Sequence, residues 1–274
     1  MNSSKCALLA AFLGGLAPFL LPNAQALASV PVYFDSTNDW HRHIQYHPEQ
    51  PARIEACIKA LRERVPSADL VDVAVDESTL PNGAIHRPFS GRELSHARDM
   101  LIRVHKPEMV TNLEKRCRDS RQRRIDEGKV PLGFVGYIDD DTYLTTETYD
   151  VCLRATAAWI RAVDEGISGK RTAMALTRPP GHHATTGLSN GFCVFNFAAA
   201  AAVHALESNP NLKISIFDWD VHYGQGVADI VKNHPRARYV SIHQSPAFPY
   251  MGNKRGVLGV HNNILTLPII AETS

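Results

Sequence analysis

The chain reads as an α/β domain, a mostly parallel sheet with helices on both faces. Three observations predict this. From residue 172 onward, short apolar runs alternate with helical patterns, the signature of strand–loop–helix units. Each of those runs ends in a polar cluster, "RPPGHH" at 178–183, "DWDVH" at 218–222 and "SIHQS" at 241–245. The 274 residues, 44% hydrophobic and 21% charged, suit one large domain or two small ones with a sizeable core.

The elements follow in order. Residues 1–28 carry Lys5, an apolar stretch from Ala7 to Leu21, and small-residue sites at Ala24–Ala26 and Ala26–Ala28. That is the layout of a targeting or signal segment rather than a lasting membrane span. No acidic residue precedes Asp35, which also fits a plastid or mitochondrial address, with nucleus or cytoplasm as the alternative. The domain is expected over 29–274. A strand is predicted over 30–36 and a helix over 47–65, where Ile54, Ile58, Leu61 and Val65 share one face. A second strand follows at 69–75, then helices at 90–105 and 106–124. Residues 128–145 read as a loop with a carboxylate triplet, Asp139–Asp141. A long helix covers 145–169, with Gly166 and Gly169 at its end. The alternating half gives a strand running into a Pro–Gly turn over 172–183, strand-and-loop stretches over 213–226 and 238–245, and helices over 191–206 and 226–234.

Near-neutral charge, 29 basic against 28 acidic residues, gives no general reason to expect nucleic acid or acidic lipid. The basic run "KRCRDSRQRR" at 115–124 reads first as a solvated helix face, and only second as a nucleic-acid contact. Five widely spaced cysteines without a CxxC pair exclude a disulfide framework and a cysteine zinc site. A metal here would need His and carboxylate ligands.

In open α/β sheets, ligands bind beyond the carboxyl ends of the strands, where the three polar clusters fall. Strand side chains alternate faces, so an extended 218–222 would put Asp218, Asp220 and His222 on one side. Carboxylate oxygen with imidazole nitrogen suits zinc in an open catalytic site, with Asp220 and His222 as ligands and Asp218 deeper, orienting a histidine. An N-capping carboxylate beside a solvated histidine is the bland alternative. His182 and His183 follow a Pro179–Pro180–Gly181 turn. Adjacent imidazoles resist double protonation, so one can stay neutral as a base while the other is held charged. A base, a metal and a water suffice to hydrolyse an amide.

Taken together, "RPPGHHA", "GFCVFN", "DWDVHYGQG" and "SIHQSPAFPY", with "HPEQPARI" at 47–54, resemble the zinc-dependent histone deacetylase family, which includes acetylpolyamine amidohydrolases. The resemblance implies the arginase–deacetylase fold and Zn2+ held by Asp220 and His222. It implies His182 and His183 as the catalytic pair, with Asp218 behind the first. A monovalent cation (K+) site near Asp218 is implied too. Gly191, Phe192 and Phe248 match positions lining an acyl-lysine tunnel. Asp141 matches a rim carboxylate, with Asp139 and Asp140 as competitors, and Arg53 matches an arginine near an acetate pocket. The implied substrate is acetylated lysine in histone or other proteins.

Two departures stand out. Tyr223 replaces a second histidine, and Gln225 replaces the Asp or Asn that backs the second catalytic histidine. The family's third zinc ligand and its carbonyl-polarising Tyr or His are not found before Ser274, so the C-terminal side is expected to be incomplete. The competing functions are deacetylation of small acetylated amines and a catalytically inactive binding module. A binuclear manganese ureohydrolase would need carboxylate-rich motifs that are not found.

Overall fold

The structure is a computed structural model that describes residues 6–10, 29–65, 67–74, 83–169 and 171–270. In chain order the first strands are β1 (Cys6–Ala10), β2 (Val30–Phe34), β3 (Ala68–Asp72), β4 (Ile85–His86), β5 (Phe134–Tyr137) and β6 (Tyr143–Thr145). The later ones are β7 (Met174–Leu176), β8 (Lys213–Asp218), β9 (Ala237–Ser245), β10 (Gly256–Leu258) and β11 (Ile264–Ile270). The helices are α1 (Ala52–Arg64), α2 (Gly91–Val104), α3 (Pro107–Asp126), α4 (Thr148–Ile167), α5 (Phe197–Ser208) and α6 (Gln225–Val231).

The expected parallel sheet is present in two parts. One is all parallel, in the order β4-β3-β2-β7. The other runs β1-β8-β9-β11-β10, parallel except for the edge strand β10. β5 and β6 form a small antiparallel pair inside the stretch expected to be a loop. Apart from β1, the expected targeting segment lies outside the described residues. Among the described residues no helix is long and apolar enough to cross a membrane.

The larger core lies where α2, α4 and α5 pack together and against β8. Ala199–Ala202 on α5 are fully buried; side chains this small let neighbouring helices approach closely. Ile54 and Ile58 of α1 close a smaller core over Val32, Phe34, Leu70 and Leu176. Ser90 and Glu93 form a capping box that starts α2 where the sequence predicts it.

Three boundaries have local reasons. The helix expected from 191 begins at Phe197, because Gly191 and Phe192 take left-handed φ of 54° and 66° and Asn196 caps the helix by accepting from the Ala199 N–H. β7 stops at Leu176, three residues before Pro179; Pro179 and Pro180 lack an N–H for the ladder. β8 ends at Asp218 because its carboxylate accepts the Asp220 N–H at 3.0 Å, and Asp220 in turn accepts the His222 N–H at 2.8 Å. "DWDVH" is thus two consecutive side-chain-to-backbone turns rather than a continued strand.

Two buried groups fix the segments around the strand ends. Arg178 is fully buried and forks onto Glu49 with two 2.7 Å bonds, while a third nitrogen donates to Asn38 O at 2.6 Å. Tyr143 accepts from Arg178 at 2.8 Å and donates to Glu49 at 2.9 Å. Burial opposes the Glu49 charge, but His41 and Arg178 together hold its carboxyl far below the usual range. His105, which caps α2, accepts the Asn196 N–H on Nε2 at 2.9 Å and so donates from Nδ1 to Thr185 O at 2.7 Å. Both nitrogens are satisfied only in the neutral ring, and burial lowers its pKa to about 4.

Replacing Arg178 by Ala strands the Glu49 charge and is expected to cost about 3–5 kcal/mol in urea unfolding, part of it recovered by adding Glu49→Gln. Equal loss in single and double variants would sink that account. For His105 the folded pKa of about 4 lies below the ordinary 6.5, so its contribution is whole above pH 6.5 and fades as pH falls towards 4. Between pH 7 and 4 the native chain should lose about 3 kcal/mol more stability than His105→Asn; parallel pH–stability curves would refute this.

Candidate active site

The site is assembled at the carboxyl ends of β7 and β8, one strand from each sheet. The Pro179–Pro180–Gly181 turn delivers His182 and His183, whose ring centroids lie 4.0 Å apart. Their partners differ. His182 Nδ1 meets Asp218 Oδ2 at 3.0 Å, as the sequence predicts. His183 Nδ1 meets Gln225 Oε1 at 2.6 Å, and the Gln225 amide nitrogen donates back to His183 O at 3.3 Å. With the amide oriented that way, His183 donates from Nδ1 and leaves Nε2 as a free acceptor.

The electrostatics separate the two rings. Burial works against charge on His182, but the Asp218 hydrogen bond and the charges of Asp218 and Asp220 raise its pKa. For His183, burial and then the neighbouring His182 lower the pKa to about 3, because Gln225 offers a dipole and no charge. Asp218 is itself held low: against burial, it gains His182 and a 2.7 Å hydrogen bond from Tyr239. Gly224 makes this packing possible. A Cβ there would collide with the Tyr239 hydroxyl and stand 2.6 Å from Asp218 Oδ2 and 2.9 Å from His182 Nδ1.

Asp220 and His222 converge on the open side. Asp220 Oδ1 and His222 Nδ1 are 3.2 Å apart, close to the roughly 3.3 Å that separates two ligands on a tetrahedral ion bound at about 2.0–2.1 Å. His182 Nε2 lies 3.8 Å from the same Asp220 oxygen. These two donors therefore fit one divalent ion as partial ligands. Among the described residues there is no group of three or more His, Cys, Asp or Glu that could hold a metal.

The walls come from three loops. The Phe248 ring stands edge-on to His183 at 4.9 Å and to His222 at 6.0 Å. Gly191 fits between: a Cβ would lie 2.7 Å from the His183 ring and 2.8 Å from Phe248. The Phe192 ring packs edge-on against His47 at 4.9 Å, and its N–H donates to Thr142 at 2.9 Å. His47 Nε2 in turn meets Asp141 O at 3.1 Å, which ties the Asp139–Asp141 turn to the Phe192 side of the site. Asp139 caps that turn by accepting the N–H groups of Asp141 and Thr142. Partial burial and then the Asp139 charge push the Asp141 carboxyl upwards. Arg53 lies 3.8 Å from Glu49, on the edge of the Arg178 network. Tyr223 is buried against His243, with ring centroids 4.9 Å apart, away from the two candidate ligands.

Sequence reasoning does not find Tyr239, His105, Tyr143 or Thr142. Each acts from a distant part of the chain, and the one available signal is an isolated polar residue inside or just after an apolar run. The basic run is absorbed by structure: Lys115 and Arg118 pair with Asp119, Arg121 with Glu147, and Arg116 and Arg124 bond backbone carbonyls. Cys57, Cys117, Cys152 and Cys193 are free thiols.

Comparison with known proteins agrees with this geometry. A family profile of the histone deacetylase domain matches residues 47–273. Polyamine deacetylase HDAC10 of Homo sapiens is 32% identical over 197 residues, 72% of this chain and 26% of the relative. Histone deacetylase 14, chloroplastic, of Arabidopsis thaliana is 30% identical over 240 residues, 85% of this chain and 52% of the relative. The crystal structure of the HDA15 HD domain superposes with a TM-score of 0.65 at 25% identity, over 88% of this chain and 62% of that one. The chain thus spans about half or less of the length of these two relatives. The strand-end histidines, the split parallel sheet and the family match converge on one statement: the chain belongs to the histone deacetylase family.

Proposed function

We propose that this chain carries the substrate-binding and proton-handling part of a zinc-dependent deacetylase that hydrolyses the amide of N6-acetyl-lysine in proteins. The observation that carries the reading is the unequal histidine pair beside two converging ligands. His183 is neutral with Nε2 free, while His182 is paired with a carboxylate.

In the reaction, water adds to the acetyl carbon, the C–N bond breaks, and acetate and the lysine amine leave. His183 Nε2 takes the proton from the attacking water and returns it to the departing nitrogen. His182, whose pKa the Asp218 contact raises, stabilises negative charge as it grows on the oxygens. Phe248, Gly191 and Phe192 offer an apolar slot for the four-carbon stem, excluding water along it. Asp220 and His222 would hold the zinc ion, which when bound supplies Lewis acidity towards the carbonyl and the water. Asp141 at the rim serves to grip the substrate backbone. The similarity to a chloroplastic relative and the apolar N-terminal segment support an organelle as its compartment.

The test is acetate release from an acetyl-lysine peptide and from an acetylated diamine by the zinc-supplemented chain. Faster turnover of the peptide supports the reading; faster turnover of the diamine favours a small-amine deacetylase. His183→Ala should lower kcat by about 10²–10⁴-fold with KM little changed. A KM effect without a kcat effect would remove the base from this role. Asp220→Asn should weaken zinc binding by at least about tenfold in competition with a chromophoric chelator. Undiminished affinity would show that the metal sits elsewhere.

A further inference from the structure

We infer that a preformed groove beside the tunnel mouth binds the polypeptide that flanks the acyl-lysine, seating a large aliphatic side chain next to the modified residue. The inference rests on the deacetylase reading above and deepens it.

The groove has a volume of about 580 Å³ and lies between the first turns of α3 and two loops. Met109 and Leu113 of α3, with Ile138, make an apolar floor. Leu188 forms the lip and is 68% exposed, so its side chain is available to a ligand at little cost. The walls are ordered by their own bonds. Thr185 N donates to Leu188 O at 2.9 Å, Leu188 N donates to Thr185 Oγ1 at 3.1 Å, and Lys106 N donates to Thr186 O at 2.7 Å. Opposite, Arg116 donates to Tyr137 O at 3.2 Å. A groove held this way needs little ordering when it binds.

Its position selects the occupant. Asn190 lines the groove and is followed directly by Gly191 and Phe192 of the slot. Asp139 lines it too and caps the turn that leads to Thr142, the acceptor for Phe192 N–H. Groove and slot are therefore lined by consecutive residues, Asn190 and Gly191. An extended chain advances about 3.3 Å per residue, so a residue next to the acyl-lysine falls over the groove. The charges also choose. Lys106 and Arg116 balance Glu108 and Asp139 along the lining. A balanced, apolar-floored groove suits an uncharged aliphatic side chain, whereas the repeated ammonium groups of a polyamine would call for an acidic lining.

The experiment is fluorescence anisotropy with nine-residue acetyl-lysine peptides carrying Leu or Gly at each flanking position. At one position Leu should bind about fivefold to tenfold tighter than Gly, the effect of partly burying one leucine side chain. Leu188→Ser and Met109→Ser should each reduce that preference to under about threefold and leave the Gly peptide unchanged. The proposal is overturned if no position prefers Leu, if the preference survives both substitutions, or if no peptide binds. Acetate release is read in parallel. Leu preference without acetate overturns the deacetylase reading and keeps the groove; acetate without preference does the reverse.

Discussion

The buried fork of Arg178 on Glu49 is the constraint on which the site depends. Arg178 leads directly into the Pro–Pro–Gly turn, so its anchor sets where His182 and His183 emerge. Glu49 belongs to the segment before α1, and Tyr143, which closes the network, belongs to the strand behind the rim turn. One guanidinium thereby ties the histidine loop, the segment carrying His47 and the rim to a common origin. A buried ion pair yields little net stability over a well-packed apolar pair. Its value here is direction: five donors in a rigid plane leave one orientation for the chain that follows.

From that origin the chemistry is a matter of unequal partners for equal rings. His182 and His183 are adjacent in sequence and 4.0 Å apart in space, so charge on one opposes charge on the other. Asp218 assigns the proton to His182, and Gln225 leaves His183 neutral. A carboxylate at 225 would pull both rings towards the charged form. With glutamine, the tautomer is still held by a 2.6 Å bond, while the ring remains a weak but available base. Tyr239 belongs to the same arrangement, because its hydroxyl shares the Asp218 oxygen that His182 uses and so moderates that carboxylate.

The sequence reveals these residues better than it reveals their geometry. Strand-end clusters single out His182, His183, Asp218, Asp220 and His222, and the fold brings these five side chains together. The route by which Asp220 and His222 meet is not legible, since alternation along a strand and successive side-chain turns both bring residues two apart together. Residues 191–196 read as helix because the alanine run behind them is so strongly helical. Left-handed backbone at Phe192, a residue that rarely adopts it, leaves no mark in a propensity argument. His105 and Tyr143 act 80 and 94 residues from their partners Thr185 and Glu49, beyond any local pattern.

The acidic triplet shows how a sequence feature changes meaning once its bonds are known. Read from the sequence, three successive aspartates invite an amine as substrate. In the folded chain Asp139 spends one carboxylate oxygen on two backbone N–H groups, so it shapes the turn more than it attracts cations. Partial burial and the neighbouring Asp139 charge raise the Asp141 pKa, and the Asp141 carbonyl is engaged by His47. The neighbouring groove sets Lys106 and Arg116 beside Glu108 and Asp139 over an apolar floor. Such a surface discriminates by shape and side-chain size rather than by net charge.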